Sequence, residues 1–147
     1  AIIPDMEAGD RNEVIRELVE SPARAGAIGA SDVDTLVKSV IQRENQGSTG
    51  FGKGVAVPHV KHECVKKLVA TIGRSSRGVD FAALDRAPVY SVVLLLSPPD
   101  DPDRHLEAME NIFRHLQRDN FRRFLRQSET VEAIVDLIQE ADEMPAG

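Results

Sequence analysis

The chain has 147 residues, of which 41% are hydrophobic and 29% are charged. A chain of this length and composition can bury one sizeable hydrophobic core, so we do not expect an intrinsically disordered protein. Its formal net charge of −6 argues against general affinity for nucleic acid or for anionic membranes. The longest apolar run, residues 89–96, is far shorter than the roughly 20 apolar residues that span a bilayer, so we expect no insertion into a membrane. The single cysteine, Cys64, cannot form an internal disulfide and fits a reducing compartment such as the cytosol.

Two amphipathic helices are predicted in the first third of the chain. The first covers residues 11–24, where apolar side chains recur at helical spacing. Asp10 comes directly before it and is a residue type that caps helix N-termini. The second begins at Ser31, which forms a capping-box-like pair with Asp34, and ends near residues 44–45.

A glycine-rich loop and two short strands follow these helices. Four glycines within residues 47–54 predict a tight, specially shaped loop, because glycine adopts backbone angles that other residues avoid. Residues 55–57 form a predicted strand that Pro58 stops, since proline cannot donate a hydrogen bond to a sheet. A second strand is predicted over residues 67–72, followed by a turn over residues 73–78.

The second half of the chain combines one strong strand with three helices. Residues 79–84 are ambiguous, whereas the continuous valines and leucines around residues 89–96 predict a central strand buried on both faces. Asp103 is expected to cap a helix that ends near residue 116, and Thr130 to cap the last helix. Between them, a short helix is expected near residues 121–125.

This order of elements, two helices, then strands, then helices, is typical of an α/β protein. We predict a single three-layer domain over residues 1–147, with a core of about residues 8–141 and helices that cover both faces of a sheet. Strands and helices do not alternate strictly, so the sheet is expected to be mixed, with about five strands, rather than purely parallel.

Three side chains at predicted element ends carry groups that suit phosphoryl transfer. Arg43 lies at the end of the second helix, His59 directly after a short strand, and His105 in the first turn of a later helix. Residues at element ends can converge on one cleft. A neutral imidazole is a good nucleophile near neutral pH, and a guanidinium binds phosphate oxygens in a bidentate manner. Backbone N–H groups of the loop at residues 47–54 could complete such a site.

Several motifs occur in the same order and spacing as in one known family. They are Arg43-Glu44-Asn45, Gly47-Ser48-Thr49-Gly50, Gly52-Lys53-Gly54-Val55-Ala56-Val57-Pro58-His59, Asp85-Arg86-Ala87-Pro88-Val89, Pro98-Pro99 and His105-Leu106. Over about residues 8–141 the chain resembles the IIA phosphocarrier domains of the bacterial phosphoenolpyruvate-dependent sugar phosphotransferase system. The most similar branch is the fructose/mannitol type, which includes the nitrogen-regulatory IIA proteins.

The resemblance implies a role for five residues. His59 matches the histidine that the histidine phosphocarrier protein phosphorylates, Arg43 the arginine that stabilises the phosphoryl group, and His105 the second active-site histidine. Ser48 and Thr49 fall in the family's loop and are expected to help position the site. The implied protein uses no cofactor and is one component of a phosphoryl-transfer chain, not a stand-alone enzyme.

The resemblance leaves the destination of the phosphoryl group open. One possibility is transfer to a IIB partner in sugar uptake. The other is a regulatory protein whose phosphorylation state controls its binding to target proteins, without transfer to sugar. In either case the resemblance implies a bacterial protein that works in the cytoplasm.

The residues after His59 depart from the family. Val60-Lys61-His62 stand where a small residue followed by a basic one is common, and the extra His62 changes the local charge. His59, His62 and Cys64 are metal-ligand types close together, but no fourth ligand is evident, so we predict no metal site. Cys64 is expected to be a packed cysteine rather than a reactive thiol.

The segment of residues 104–126 is basic within an acidic chain. It holds six arginines against three acidic residues, a local net charge of +3. The sequence is compatible with two interpretations of these arginines, a solvated face or a docking surface for an acidic partner. Binding of nucleic acid is not expected, since neither interleaved aromatic residues nor a known motif accompanies the charges.

Overall fold

The computed structural model describes residues 1–82 and 86–143 as a sheet with helices on both faces. The helices in these ranges are α1 (Arg11–Arg24), α2 (Val33–Gln46), α3 (Pro102–Leu116), α4 (Asp119–Gln127) and α5 (Val131–Glu143). The strands are β1 (Ile2–Ile3), β2 (Gly50–Gly52), β3 (Val55–Ala56), β4 (His59–Lys61), β5 (Val69–Val79) and β6 (Val89–Ser97). Among the helices just named, none is both long and apolar enough to cross a membrane.

The sheet is mixed, as predicted. Its strands follow the order β1-β5-β6-β3-β2, and β4 pairs with β6 beyond the end of β3. β5 runs antiparallel to β6, whereas β3 and β4 run parallel to it. Pro58 separates β3 from β4 because it has no N–H to donate, although its carbonyl accepts a hydrogen bond from Leu95 N at 2.9 Å. If β3 and β4 are taken as one interrupted strand, the sheet has the predicted five strands.

Each face of the sheet buries its own apolar cluster, which confirms the three-layer prediction. On the face covered by α1 and α2, Leu18 belongs to the same cluster as Leu94 of β6. On the face covered by α4 and α5, Ile134 belongs to the same cluster as Val93 of β6. Neighbouring residues of a strand point to opposite faces, so β6 contributes to both clusters. The predicted central strand, buried on both faces, is therefore confirmed.

Two predicted helix caps are confirmed. Asp10 Oδ1 accepts a hydrogen bond from Glu13 N at 2.8 Å and begins α1, which covers the predicted residues. Thr130 Oγ1 accepts one from Ala133 N at 3.1 Å at the start of α5. The short helix predicted near residues 121–125 is present as the longer α4.

The predicted start of α2 is wrong. Asp32 N donates to Gly29 O at 2.9 Å, which closes a 3-10 turn through the position predicted for the Ser31 cap. α2 therefore begins at Val33 without a side-chain cap, and it continues to Gln46, slightly beyond the predicted end.

The predicted cap of α3 is also wrong. Asp101, rather than Asp103, accepts the capping hydrogen bond, from Arg104 N at 3.2 Å. Pro102 occupies the first helical position, where a missing N–H costs nothing and the ring's fixed φ suits a helix. α3 therefore starts one residue before the predicted cap.

The predicted break of β5 at residues 73–78 is wrong, since β5 is one strand from Val69 to Val79. A Cβ on Gly73 would lie 2.4 Å from Met6 Sδ and 2.7 Å from Leu18 Cδ2, so this glycine permits close packing rather than a turn. Gly78 has φ +82° and lies where the pairing with β6 shifts register, as at a bulge. In the ambiguous stretch of residues 79–84, Val79 ends β5, and residues 83–84 lie outside the described residues.

Replacement of Gly73 by alanine should destabilise the fold, because the added methyl group must displace Met6 or Leu18. We expect a loss of about 1–3 kcal/mol in the free energy of unfolding, the usual range for an overpacked core. Urea denaturation measures it. Gly9→Ala is the matched control, since a Cβ there meets nothing within 4 Å. Equal stability of the two variants would contradict this account of β5.

Candidate functional site

His59 begins β4, where its neighbour in the sheet is Leu95 of β6. Its Nδ1 lies 2.8 Å from the carbonyl oxygen of Val57. A carbonyl can only accept a hydrogen bond, so Nδ1 carries the proton and donates it. In a neutral ring this leaves the lone pair on Nε2, which is the nucleophilic form of that nitrogen.

His105 lies beside His59, as the prediction of a shared cleft requires. The two ring centroids are 5.7 Å apart, and the ring planes are tilted by 52°. His105 comes from the first turn of α3 and is only 8% exposed. Its Nδ1 lies 2.6 Å from the hydroxyl of Ser97, the fully buried last residue of β6.

The surroundings of His105 favour its neutral form. Burial lowers the pKa of His105, and the neighbouring His59 and Lys61 lower it further. Each of these causes disfavours the imidazolium, because a buried charge loses hydration and nearby positive charge repels it. At neutral pH, His105 is therefore an uncharged ring that can both donate and accept a hydrogen bond.

Arg43 lies in the last turn of α2, the helix that packs against β4. Its Nη1 donates to the carbonyl oxygen of Gly47 at 2.8 Å, which ties the helix end to the start of the glycine-rich loop. Within residues 1–82 and 86–143, no hydrogen bond joins its guanidinium to either imidazole. The two histidines thus contact each other, whereas Arg43 is directed to the loop.

Ser48 and Thr49 bond within and around the glycine-rich loop rather than to the histidines. The Ser48 hydroxyl donates to the Phe81 carbonyl and accepts a hydrogen bond from Gly50 N at 3.0 Å. Thr49 N donates to Glu44 Oε2 at 3.1 Å, and the Thr49 hydroxyl donates to Glu44 Oε1. The loop is therefore fastened to both α2 and the segment after β5.

Glu44 is the residue of this region that sequence reasoning did not single out. Glu44 is 3% exposed as a residue, and its carboxylate receives two hydrogen bonds from Thr49. A signal was available in the sequence: Glu44 continues the apolar helix face of Leu36, Val37 and Val40, where an acidic residue needs partners. Burial of Glu44 is sustained because both of its oxygens are satisfied.

An open groove of about 550 Å³ runs from the two histidines along α3. Its α3 wall includes Leu106, Met109 and Phe113. Leu106 is 58% exposed, so an uncovered apolar side chain adjoins the two histidines. The imidazoles are thus accessible at the edge of an apolar surface rather than in an enclosed cavity.

The family model described as "Phosphoenolpyruvate-dependent sugar phosphotransferase system, EIIA 2" matches residues 1–141. The chain belongs to this family. This confirms the resemblance drawn from the motifs.

Relatives of this IIA chain include both fructose-specific PTS components and nitrogen regulatory proteins. It is 33% identical over 138 residues to the PTS system fructose-specific EIIABC component of Bacillus subtilis, a match that covers 94% of this chain but only 21% of that protein. It is 31% identical over 134 residues to a nitrogen regulatory protein of Pseudomonas aeruginosa, with 91% of this chain and 86% of that protein covered.

Solved structures share the fold. The nitrogen regulatory protein IIA-Ntr of Neisseria meningitidis superposes with a TM-score of 0.84 at 28% identity, over 93% of this chain and 92% of that one. The mannitol-type IIA of Escherichia coli, solved in complex with phosphorylated IIB, gives a TM-score of 0.78 at 18% identity, over 95% and 94% of the two chains. The α/β fold of this IIA chain is therefore the fold of its structural neighbours.

Three further residues, Cys64, His62 and His115, have local partners. Cys64 N donates to His62 Nδ1 at 3.1 Å, and burial raises the pKa of the Cys64 thiol, which lowers its reactivity. No group of three or more potential metal ligands is found in the part of the chain that the structure describes. His115, on the far side of α3, bonds to Asp142 of α5 at 2.8 Å.

The pKa of His105 should lie below that of an unperturbed histidine, and its NMR titration tests this directly. We expect the midpoint to rise in Lys61→Gln, because removal of the nearby positive charge makes protonation easier. Lys38→Gln, which removes an exposed lysine on α2, should leave the midpoint unchanged. A midpoint at or above that of free histidine would contradict the assigned environment.

Proposed function

We propose that His59 accepts a phosphoryl group at Nε2 from the histidine phosphocarrier protein and passes it to a IIB partner in sugar uptake. The observation that carries this proposal is the 2.8 Å hydrogen bond between His59 Nδ1 and the Val57 carbonyl. It sets the tautomer and the direction of the ring, and so presents a lone pair at the edge of an open groove.

The transfer step needs no proton movement at the reacting nitrogen. The Nε2 lone pair attacks phosphorus, a P–N bond forms to His59, and the P–N bond to the donor's phosphohistidine breaks. The ring becomes positively charged as the bond forms, and the Val57 carbonyl stabilises that charge through the Nδ1 proton. Catalysis is then mostly positioning and charge stabilisation.

His105 and Arg43 serve the phosphoryl oxygens in this proposal. If the Ser97 hydroxyl donates to His105 Nδ1, then His105 Nε2 carries a proton that it can donate to a phosphoryl oxygen. Arg43 uses one nitrogen on Gly47 O, which leaves other N–H groups of its fork for phosphate. Ser48 and Thr49 act indirectly, because their bonds shape the loop next to His59.

The apolar groove along α3 fits the docking of a protein donor and acceptor. Leu106 and Met109 adjoin the histidines and could be covered by a partner's apolar residues when the two active centres approach. The mannitol-type IIA of the similar solved structure is bound to a phosphorylated IIB. A IIB protein is therefore our proposed acceptor. We place both encounters in the cytoplasm, in keeping with a single cysteine that cannot form an internal disulfide.

A second candidate is a nitrogen-regulatory role, in which the phosphorylation state of His59 controls binding to target proteins. It is favoured by the 31% identity to a nitrogen regulatory protein and by the TM-score of 0.84 to IIA-Ntr. The chemistry at His59 is the same in both candidates. They differ only in what receives or senses the phosphoryl group.

Phosphorylation in a reconstituted system tests the shared step. With labelled phosphoenolpyruvate, enzyme I and the histidine phosphocarrier protein, the chain should gain an acid-labile, base-stable phosphate, and His59→Ala should gain none. Arg43→Ala should be labelled about 10–100 times more slowly, the loss expected when a charged hydrogen bond to the transferring group is removed.

Two control variants accompany these changes. His62→Ala removes a nearby imidazole and Gln42→Ala an exposed neighbour of Arg43, and both should label as fast as the wild type. Full labelling of His59→Ala would refute the proposal. Addition of a fructose-type IIB then separates the two candidates, since passage of label to IIB supports sugar uptake and its retention supports regulation.

A further inference from the structure

A second cleft, of about 230 Å³, lies away from the histidines at the other end of β6. Its lining includes Lys53, Tyr90, Ser91, Arg122 and Arg126. Along β6, Ser91 is four residues before Leu95, the neighbour of His59, which places the two sites about 13 Å apart at the usual rise of a strand. This cleft therefore has no part in the chemistry at His59.

Tyr90 forms a rigid floor for the cleft. Its ring packs against two glycines: a Cβ on Gly54 would lie 3.4 Å from Tyr90 Cδ2, and a Cβ on Gly78 would lie 3.0 Å from Tyr90 Cε1. The guanidinium carbon of Arg126 lies 3.6 Å from the ring centroid, in a cation–π contact. The ring thus fixes the position of the Arg126 guanidinium.

Arg126 is held in place but keeps its hydrogen-bond donors. Its backbone carbonyl accepts a hydrogen bond from Arg74 Nε at 2.6 Å, which ties the end of α4 to β5. Its guanidinium makes no hydrogen bond to any of the residues that the structure describes. A positioned guanidinium with unused donors is suited to bidentate binding of an oxyanion.

Arg122 supplies a second fixed charge, one helical turn before Arg126. Its side chain is 10% exposed, and its Nη1 donates to the Leu116 carbonyl at 2.6 Å. Its Nη2 donates to Asp119, whose own side chain is 89% exposed and does not line the cleft. The third charge, Lys53, lies in the turn between β2 and β3.

We propose that this cleft binds the phosphate group of a small phosphate ester, a site separate from His59. Its described lining carries three cationic side chains and no acidic one, although the chain as a whole has a net charge of −6. Its volume admits a small molecule and not a helix or strand of a partner protein. Two of the six arginines in the basic segment of residues 104–126 thereby acquire a function that neither a solvated face nor a docking surface provides.

Amide NMR titration with glycerol 3-phosphate tests the proposal, with glycerol as the neutral control. The ester should cause saturable shifts at the amides of Gly54, Tyr90 and Ser91, whereas glycerol should cause none. Arg126→Gln should weaken binding by about tenfold or more, the effect of losing a charged hydrogen bond. Arg123→Gln, on the same helix but over Phe124 and outside the cleft, should bind as the wild type does.

A substitute variant and a second probe accompany this titration. If the amide spectrum of Arg126→Gln shows that it is unfolded, Lys53→Gln takes its place, with the same expected direction. Vesicles that contain phosphatidic acid distinguish a lipid headgroup from a free ester as the source of the same phosphate chemistry, and binding of either at these amides supports the site. Shifts confined to His59 and His105, equal binding by the Arg126 and Arg123 variants, or no saturable shift with either probe would overturn it.

Discussion

The hydrogen bond from His59 Nδ1 to the Val57 carbonyl depends on a break in the sheet. Pro58 lacks an N–H and so separates β3 from β4, while both segments remain parallel to β6. At that break the Val57 carbonyl accepts its hydrogen bond from a side chain two residues later along the chain. A backbone irregularity thereby orients the imidazole and selects its tautomer without any further acid or base.

β6 relates the two imidazoles to each other. It is buried on both faces, it pairs with His59 through Leu95, and its last residue, Ser97, bonds to His105. The chain then returns as α3, whose first turn carries His105. Because one rigid strand holds both rings, their separation of 5.7 Å is a property of the core rather than of a loop. The opposite end of the same strand carries Tyr90 and Ser91, so β6 also supports the second cleft, next to Arg126.

Local sequence patterns predicted those parts of the structure that local interactions determine. Periodicity and an Asp cap gave α1 its correct ends, and the valine and leucine run identified the central strand. The predictions failed where tertiary contacts decide the outcome. Gly73 suggested a turn, but it is a glycine because Met6 and Leu18 pack against it from elsewhere in the chain. β1, β2 and β4 are too short for any periodicity to reveal them.

The functional site shows the same distinction between features set by local sequence and features set by tertiary contacts. The motif around His59 and the position of His105 were sufficient to predict that the two rings lie together. The buried carboxylate of Glu44, the role of Asp101 and the packing of Arg126 on Tyr90 depend on which side chains meet in space. No spacing along the chain shows that Arg126 and Tyr90, in different elements, share a cleft.

We infer that the backbone at Pro58 directs His59 Nε2 toward a phosphoryl donor. NMR of the ¹⁵N-histidine-labelled, phosphorylated protein measures this, since coupling to ³¹P identifies the nitrogen that carries the phosphate. We expect phosphate on Nε2 of His59, with Nδ1 still protonated and donating its hydrogen bond to the Val57 carbonyl. Phosphate on Nδ1, or on another histidine, would contradict it.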